Sequence, residues 1–181
     1  DGVTEDDLRK STEATLVVTP QRLELPPALA EGRVVGLQAQ LYQVRSAESW
    51  GIGDLADLAD LITWSGTKQF AGYVLINPLH AASPTTPMEP SPYLPTSRRF
   101  VSPLYLRVEA IPEFAWLAKR DRVHDRRKAV QARALKSDII DRDRVWALKR
   151  GALEAIWAEV RGSRSVRTAL ELSERDPELT R

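Results

Sequence analysis

The chain has 181 residues, with 26 Lys and Arg against 25 Asp and Glu, and no Cys. That length can bury a core, and the near-neutral charge gives no bulk attraction to nucleic acid or a membrane surface. Without Cys there is no disulfide, thiol nucleophile or thiolate metal site, and no run of about 18 apolar residues predicts a membrane span. Position 1 is Asp and the only Met is Met88, so a chain that is processed, tagged or cut from something longer is expected. The acidic start (Asp1, Glu5, Asp6, Asp7) is unlike a secretory signal.

Residues 1–32 read as an extension and linker. Leu16-Val17-Val18 is a short apolar run closed by Pro20, and Pro26-Pro27 with Gly32 marks a boundary. Prolines fix φ and lack a donor, so one strand and an extended connector are expected.

Residues 33–115 begin with the most ordered pattern. Val34 to Val44 reads as a buried strand, with Leu37, Ala39 and Leu41 alternating against Gln38, Gln40 and Tyr42. A loop with two glycines, Ser49 to Asp54, leads into a helix. Leu55, Leu58, Ala59 and Ile62 fall at i, i+3, i+4, i+7, which predicts one apolar face. Asp54 and Asp57 suit its first turn, and Gly66 is expected to end it. Phe70 to Ile76 reads as a second strand, stopped by Asn77-Pro78. Strand, helix, strand predicts a parallel pair with a right-handed crossover.

The next stretch carries Pro84, Pro87, Pro90, Pro92, Pro95, Pro103 and Pro112. Within it only Leu104 to Val108 reads as a short strand. The loop Ser83–Phe100 leaves the C-terminal end of the second strand, where parallel α/β proteins build their sites. Its Ser91, Tyr93 and neighbours suit a sugar, whose flat C–H faces match an aromatic ring among hydroxyls. A proline-stiffened loop that only packs on the strand ends stays open as the other reading. Residues 116–181 read as helical: one helix over 116–136, one over 142–161, and one from Ser163 broken at Asp176-Pro177. In the second, Val145, Leu148, Ala152, Leu153, Ile156 and Val160 share a face.

Other chemistries find little support. The Gly51-x-Gly53 turn lacks a third Gly at fingerprint spacing and a following Lys-Ser/Thr, so it reads as a tight turn with Trp50 packed over it. His80 and His124 have no ligand partner at helical spacing, so no metal is expected. His80 stands at the root of the candidate loop, and His124 reads as a solvated residue of a basic helix. The basic run 119–136 lacks interleaved aromatics, so it reads as a solvated face and not a nucleic-acid patch. Asp54, Asp57 and Asp60 read as capping or solvent-facing, and Glu89, Glu109 and Glu113 lack an obvious partner. No acid and nucleophile pair of the glycosidase kind is found.

Several segments in collinear order resemble one family. They are Gln40-Leu41-Tyr42, Arg45-Ser46, Ser49-Trp50-Gly51-Ile52-Gly53-Asp54, Asn77-Pro78-Leu79-His80, Ser91-Pro92-Tyr93 with Ser97-Arg98-Arg99-Phe100, Pro103-Leu104-Tyr105, and Ile140-Asp141 with Val145 to Lys149. Over roughly residues 33–161 the chain resembles the 4-α-glucanotransferase (amylomaltase) family, in particular its actinobacterial members. The resemblance implies an incomplete (β/α)8 barrel: its first two strands and a helical insertion over 116–181, preceded by the end of a small N-terminal extension. It implies a cytoplasmic enzyme that moves α-1,4-glucan segments between maltooligosaccharides by a retaining double displacement, with no cofactor. It assigns Ser91 and Tyr93 to substrate beside the scissile bond. The family's catalytic carboxylates come from later barrel strands, and a whole barrel needs about 250 residues. The resemblance therefore implies a fragment inactive alone, and exposed barrel surfaces that could support an oligomer. A non-catalytic carbohydrate-binding module and a helical interaction module are the competing readings.

Overall fold

A computed structural model describes residues 21–175, apart from 23, 26, 31 and 135. The chain divides into two compact units, residues 1–34 and 35–181. In the first, the described element is helix α1, Pro27–Ala30, with proline at the helix start, where its missing N–H costs nothing. The strand expected at Leu16 to Val18 and the break expected at Asp176-Pro177 lie outside the described residues.

The second unit opens with the expected strand, helix, strand. Strand β1 (Gly36–Ala39) pairs in parallel with β2 (Tyr73–Ile76), in the register Gly36 to Tyr73 through Ala39 to Ile76. Helix α2 (Leu55–Gln69) is the crossover. Both strands are shorter than the apolar pattern. β1 stops because the Leu41 N–H turns to the Asn77 side chain at 2.7 Å, and the chain enters a 3-10 turn over Leu41–Gln43. β2 starts late because α2 continues through Gly66 to Gln69. Phe70 then caps it in the left-handed region at φ 54°, donating its N–H to the Ser65 carbonyl.

Helix α2 does not bury the apolar face that its spacing gives. Asp57 and Ser65 are its buried residues, while Leu55, Ile62 and Trp64 are exposed. The cause is the neighbourhood. Among the described residues the parallel sheet has two strands, too few to cover the apolar stripe. The first turn of α2 is instead held by charge. Asp54 accepts the Ala56 and Asp57 N–H groups, and Asp57 accepts the Asp54 N–H, a reciprocal capping box. Tyr73 and Leu75 of β2 are likewise exposed.

After β2 the chain forms an antiparallel pair, β3 (His80–Ala81) with β4 (Ser97–Val101). The segment read as loop to Phe100 is thus strand from Ser97 onward. The strand expected at 104–108 is replaced by 3-10 turns over Pro103–Tyr105 and Val108–Ala110, with a third over Pro112–Trp116. Two of these begin on proline, which supplies a preset φ and no ladder donor.

Three helices follow: α3 (Arg120–Ala134), α4 (Arg142–Val160) and α5 (Arg164–Glu174). α3 starts later than the composition suggested because residues 112–116 already wind as a 3-10 turn. α4 matches its expected span, with Asp141 capping the Arg144 N–H at 3.0 Å. Val145, Ala152, Ile156 and Val160 of the expected stripe are buried. They pack with Trp50, Ile52, Val108, Phe114, Val123 and Val130. The core therefore lies between the loop after β1, the 3-10 turns and helices α3 and α4, and not beneath the parallel strands.

Candidate functional site

The site is built where β1 and β2 end. Asn77, directly after β2, is 3% exposed. Its Oδ1 accepts the Leu41 N–H at 2.7 Å. Its Nδ2 donates to the Pro78 carbonyl at 2.8 Å and to the Tyr105 hydroxyl oxygen at 3.0 Å. One buried amide thus ties both strand ends to the turn at 103–105. Tyr105 is buried, and burial raises its pKa above the ordinary 10.0 against the opposing pull of Asn77 and Arg142, so it serves as a neutral phenol.

The loop carrying Ser91 and Tyr93 rises between β3 and β4. Its base is closed by the Thr96 N–H on the Ala81 carbonyl at 3.0 Å and the Ser102 N–H on the Leu79 carbonyl at 2.8 Å. Within it Glu89 accepts the Ser91 N–H at 2.9 Å, and the Ser91 hydroxyl accepts the Tyr93 N–H at 3.3 Å. These local bonds shape the turn and present the Tyr93 ring outward, with the residue 60% exposed. Gln40, the residue after β1, directs its Nε2 at the Tyr93 hydroxyl from 3.5 Å. The structure thus brings Ser91 and Tyr93 together on one loop and sets Tyr93 beside the C-terminal end of β1. Behind the loop a small cavity is lined by Tyr42, His80, Ser91, Pro92, Tyr105 and Arg142, among others. Arg142 stands over the Tyr42 ring at 5.1 Å.

The glycine turn after β1 is structural. Gly51 holds φ +85°. A Cβ on Gly53 would fall 2.2 Å from the Val44 carbonyl oxygen and closer still to that of Leu41. Trp50 is fully buried and donates its Nε1–H to Glu109 at 2.9 Å. Gly53→Ala is expected to cost more than about 2 kcal/mol, because backbone must move. Gly66→Ala, with nothing within 4 Å of the new methyl, is expected to gain about 0.5–1 kcal/mol. Urea unfolding of the two variants checks the contrast.

Asp54, Asp57 and Glu109 are engaged in holding the fold. Arg107 donates to Asp54 at 2.5 and 2.9 Å and to Asp57 at 2.9 Å. Ser46 and Ser49 donate to Asp57 at 2.6 and 2.8 Å. Glu109 pairs with Arg127 at 3.0 Å, and Arg127 reaches Glu48 at 2.9 Å. Part of the basic run is therefore spent inside, clamping α3 to the loop after β1. His124 is also not free in solvent, since its ring stands edge-on to Phe114 at 5.3 Å. Among the described residues no group of three or more His, Asp or Glu side chains could hold a metal ion. No described helix is long and apolar enough to cross a membrane.

Sequence reasoning passed over Lys149. It is 0% exposed and donates to the Leu104 and Leu106 carbonyls at 2.6 and 2.8 Å. Its position was the available signal: four residues after Val145 and three before Ala152, it interrupts the apolar stripe of α4.

Residues 39–175 match the family model described as 4-alpha-glucanotransferase. The chain is 59% identical over 149 residues to a 4-alpha-glucanotransferase of Mycobacterium tuberculosis, covering 79% of this chain and 21% of that protein. Against the Haemophilus influenzae 4-alpha-glucanotransferase the identity is 43% over 157 residues, with 83% and 22% coverage. The fold is similar to amylomaltase from Corynebacterium glutamicum, with a TM-score of 0.68 and 44% identity, over 78% of this chain and 20% of that one. The chain spans about a fifth of the length of the curated relatives it matches. The strand-end loop, the order of its motifs and the matched span together show that this chain belongs to the 4-alpha-glucanotransferase family.

Proposed function

We propose that the chain supplies one wall of an α-1,4-glucan site, built on the first two strands of a (β/α)8 barrel. Tyr93 stacks on a sugar ring of the maltooligosaccharide, and the Ser91 side chain meets the substrate beside the scissile bond. The observation that carries this reading is the Tyr93 ring, exposed on a loop braced at the C-terminal ends of two parallel strands. The exposed side chains of Ile62, Trp64, Tyr73 and Leu75 support the barrel reading, since they would face further barrel elements or another copy. We assign the site to the cytoplasm on the family resemblance.

In the whole enzyme the reaction would be a retaining double displacement, which needs one carboxylate as nucleophile and one carboxyl as acid and base. Asp54 and Asp57 are already bound to Arg107 and are not offered to a substrate. Alone, the 181-residue chain is therefore expected to bind glucan without turning it over. Incubation with maltotriose should yield neither glucose nor longer maltooligosaccharides, while maltoheptaose should bind. Tyr93→Ala should weaken that binding about tenfold, equivalent to about 1.4 kcal/mol. Equal binding by wild type and Tyr93→Ala would overturn the assignment of the loop. Disproportionation of maltotriose would overturn the inactivity.

A further inference from the structure

We propose that Tyr105 and Lys149 are positioning residues of the glucan loop: Lys149 fixes the turn at 104–106, the turn fixes Tyr105, and Tyr105 fixes Asn77 beneath the strand ends where Gln40 meets Tyr93. The proposal rests on the reading of Tyr93 given above and extends it to the turn at Tyr105 and to Lys149 of helix α4.

The chain of contacts is continuous. The Lys149 ammonium holds the carbonyls on either side of Tyr105, at Leu104 and Leu106. These are charge-assisted bonds from a donor-only group, so they set the turn's orientation firmly. The turn is also pinned from its other end, by the Tyr105 N–H on the Ser102 carbonyl at 3.1 Å and the Ser102 N–H on that of Leu79. Tyr105 then offers its hydroxyl oxygen to Asn77. The Tyr105 oxygen holds the Asn77 amide in place, while the Leu41 N–H and the Pro78 carbonyl set which way it faces. A flipped amide would set its NH2 against the Leu41 N–H and its oxygen against the Pro78 carbonyl. With Oδ1 held on Leu41, β1 must end at Ala39, and Gln40 is left free to reach the Tyr93 hydroxyl.

A fully buried lysine argues for geometry over stability. An apolar residue of similar volume would suit the stripe of α4 at lower desolvation cost. The charged groups facing Lys149 are Asp54, Asp57 and Glu109, which attract it, and Arg107, which repels it. The site thus carries a costly cation whose two short bonds both go to the backbone around Tyr105.

The test uses Tyr105→Phe and Lys149→Met in the whole chain. Amide hydrogen exchange is read at Leu41 and at Leu58, whose N–H donates to the Asp54 carbonyl at the start of α2. Tyr105→Phe is expected to speed exchange at Leu41 about tenfold and leave Leu58 unchanged, as a local opening would. Lys149→Met should show the same pattern, and both should raise the Kd for maltoheptaose about three- to tenfold. If Lys149→Met does not fold, Tyr105→Phe decides alone. Unchanged exchange at Leu41, or equal acceleration at both amides, would overturn the proposal, since a merely structural residue loosens the fold as a whole. Wild-type chain that fails to bind maltoheptaose would overturn the glucan reading instead, and the Leu41 rates keep the two failures apart.

Discussion

Arg107→Ala is expected to lower the unfolding free energy by about 3–5 kcal/mol, the range for stranding a buried charge. The guanidinium is the cation that bridges Asp54 and Asp57, whose side chains are essentially inaccessible. Its contribution reaches well beyond one ion pair. The two carboxylates cap α2 from opposite directions, and Asp57 also anchors Ser46 and Ser49 of the loop after β1. Removing the cation leaves two neighbouring buried charges that cannot regain water. A loss of that size is a large share of the total for an ordinary domain, which is about 5–15 kcal/mol. The cycle that separates charge from packing pairs Arg107→Met with Asp57→Asn. If charge dominates, the double variant should recover part of the loss of Arg107→Met. Additive losses in urea unfolding would show that lost packing around the Arg107 stem is the cause.

The same cluster shows why the sequence was only partly readable. Spacing alone revealed the strand, helix, strand unit, because apolar runs of the right length lay on either side of a helical period and Asn77-Pro78 stopped the second. The 3.6-residue pattern of α4 was legible for the same reason. What pattern could not reveal was which groups would take up each N–H and carbonyl. β1 ends at Ala39, two residues after the alternation starts at Leu37, because of the Asn77 side chain, a contact spanning 36 positions. The apolar stripe of α2 was legible as a stripe, but spacing does not say whether it is covered, since burial depends on what stands opposite. Ser91 and Tyr93 could be placed on one loop from the prolines and the family motif. Their local bonds to Glu89 and between each other could be guessed from sequence distance, whereas the approach of Gln40 to Tyr93 needed the parallel pairing of β1 and β2. Lys149 was hidden because a charged residue on an apolar face is usually treated as noise in the pattern.

Lys149 also predicts how stability responds to alkali. Its pKa is lowered from 10.5 to about 8, chiefly because burial removes water from the ammonium, with Arg107 adding to the effect and Asp54, Glu109 and Asp57 opposing it. The unfolded chain keeps the ordinary value, so between these limits the unfolded state binds more protons than the folded one. Stability from this group must therefore rise with pH across that window, and fall again as pH drops through about 8. From pH 7.5 to 9.5 the expected gain is up to about 2 kcal/mol. Tyr105 works the other way at higher pH, because its raised pKa makes the folded state the better proton binder there. The comparison should stop short of the phenol range for that reason. Urea unfolding at pH 7.5 and 9.5 should show the gain in wild type and lose it in Lys149→Met. Equal pH dependence in the two proteins would mean that Lys149 is not held in water-free surroundings. A second variant probes the cause: Arg107→Ala removes the repelling cation, so the pKa of Lys149 should move up and the gain over this interval should shrink.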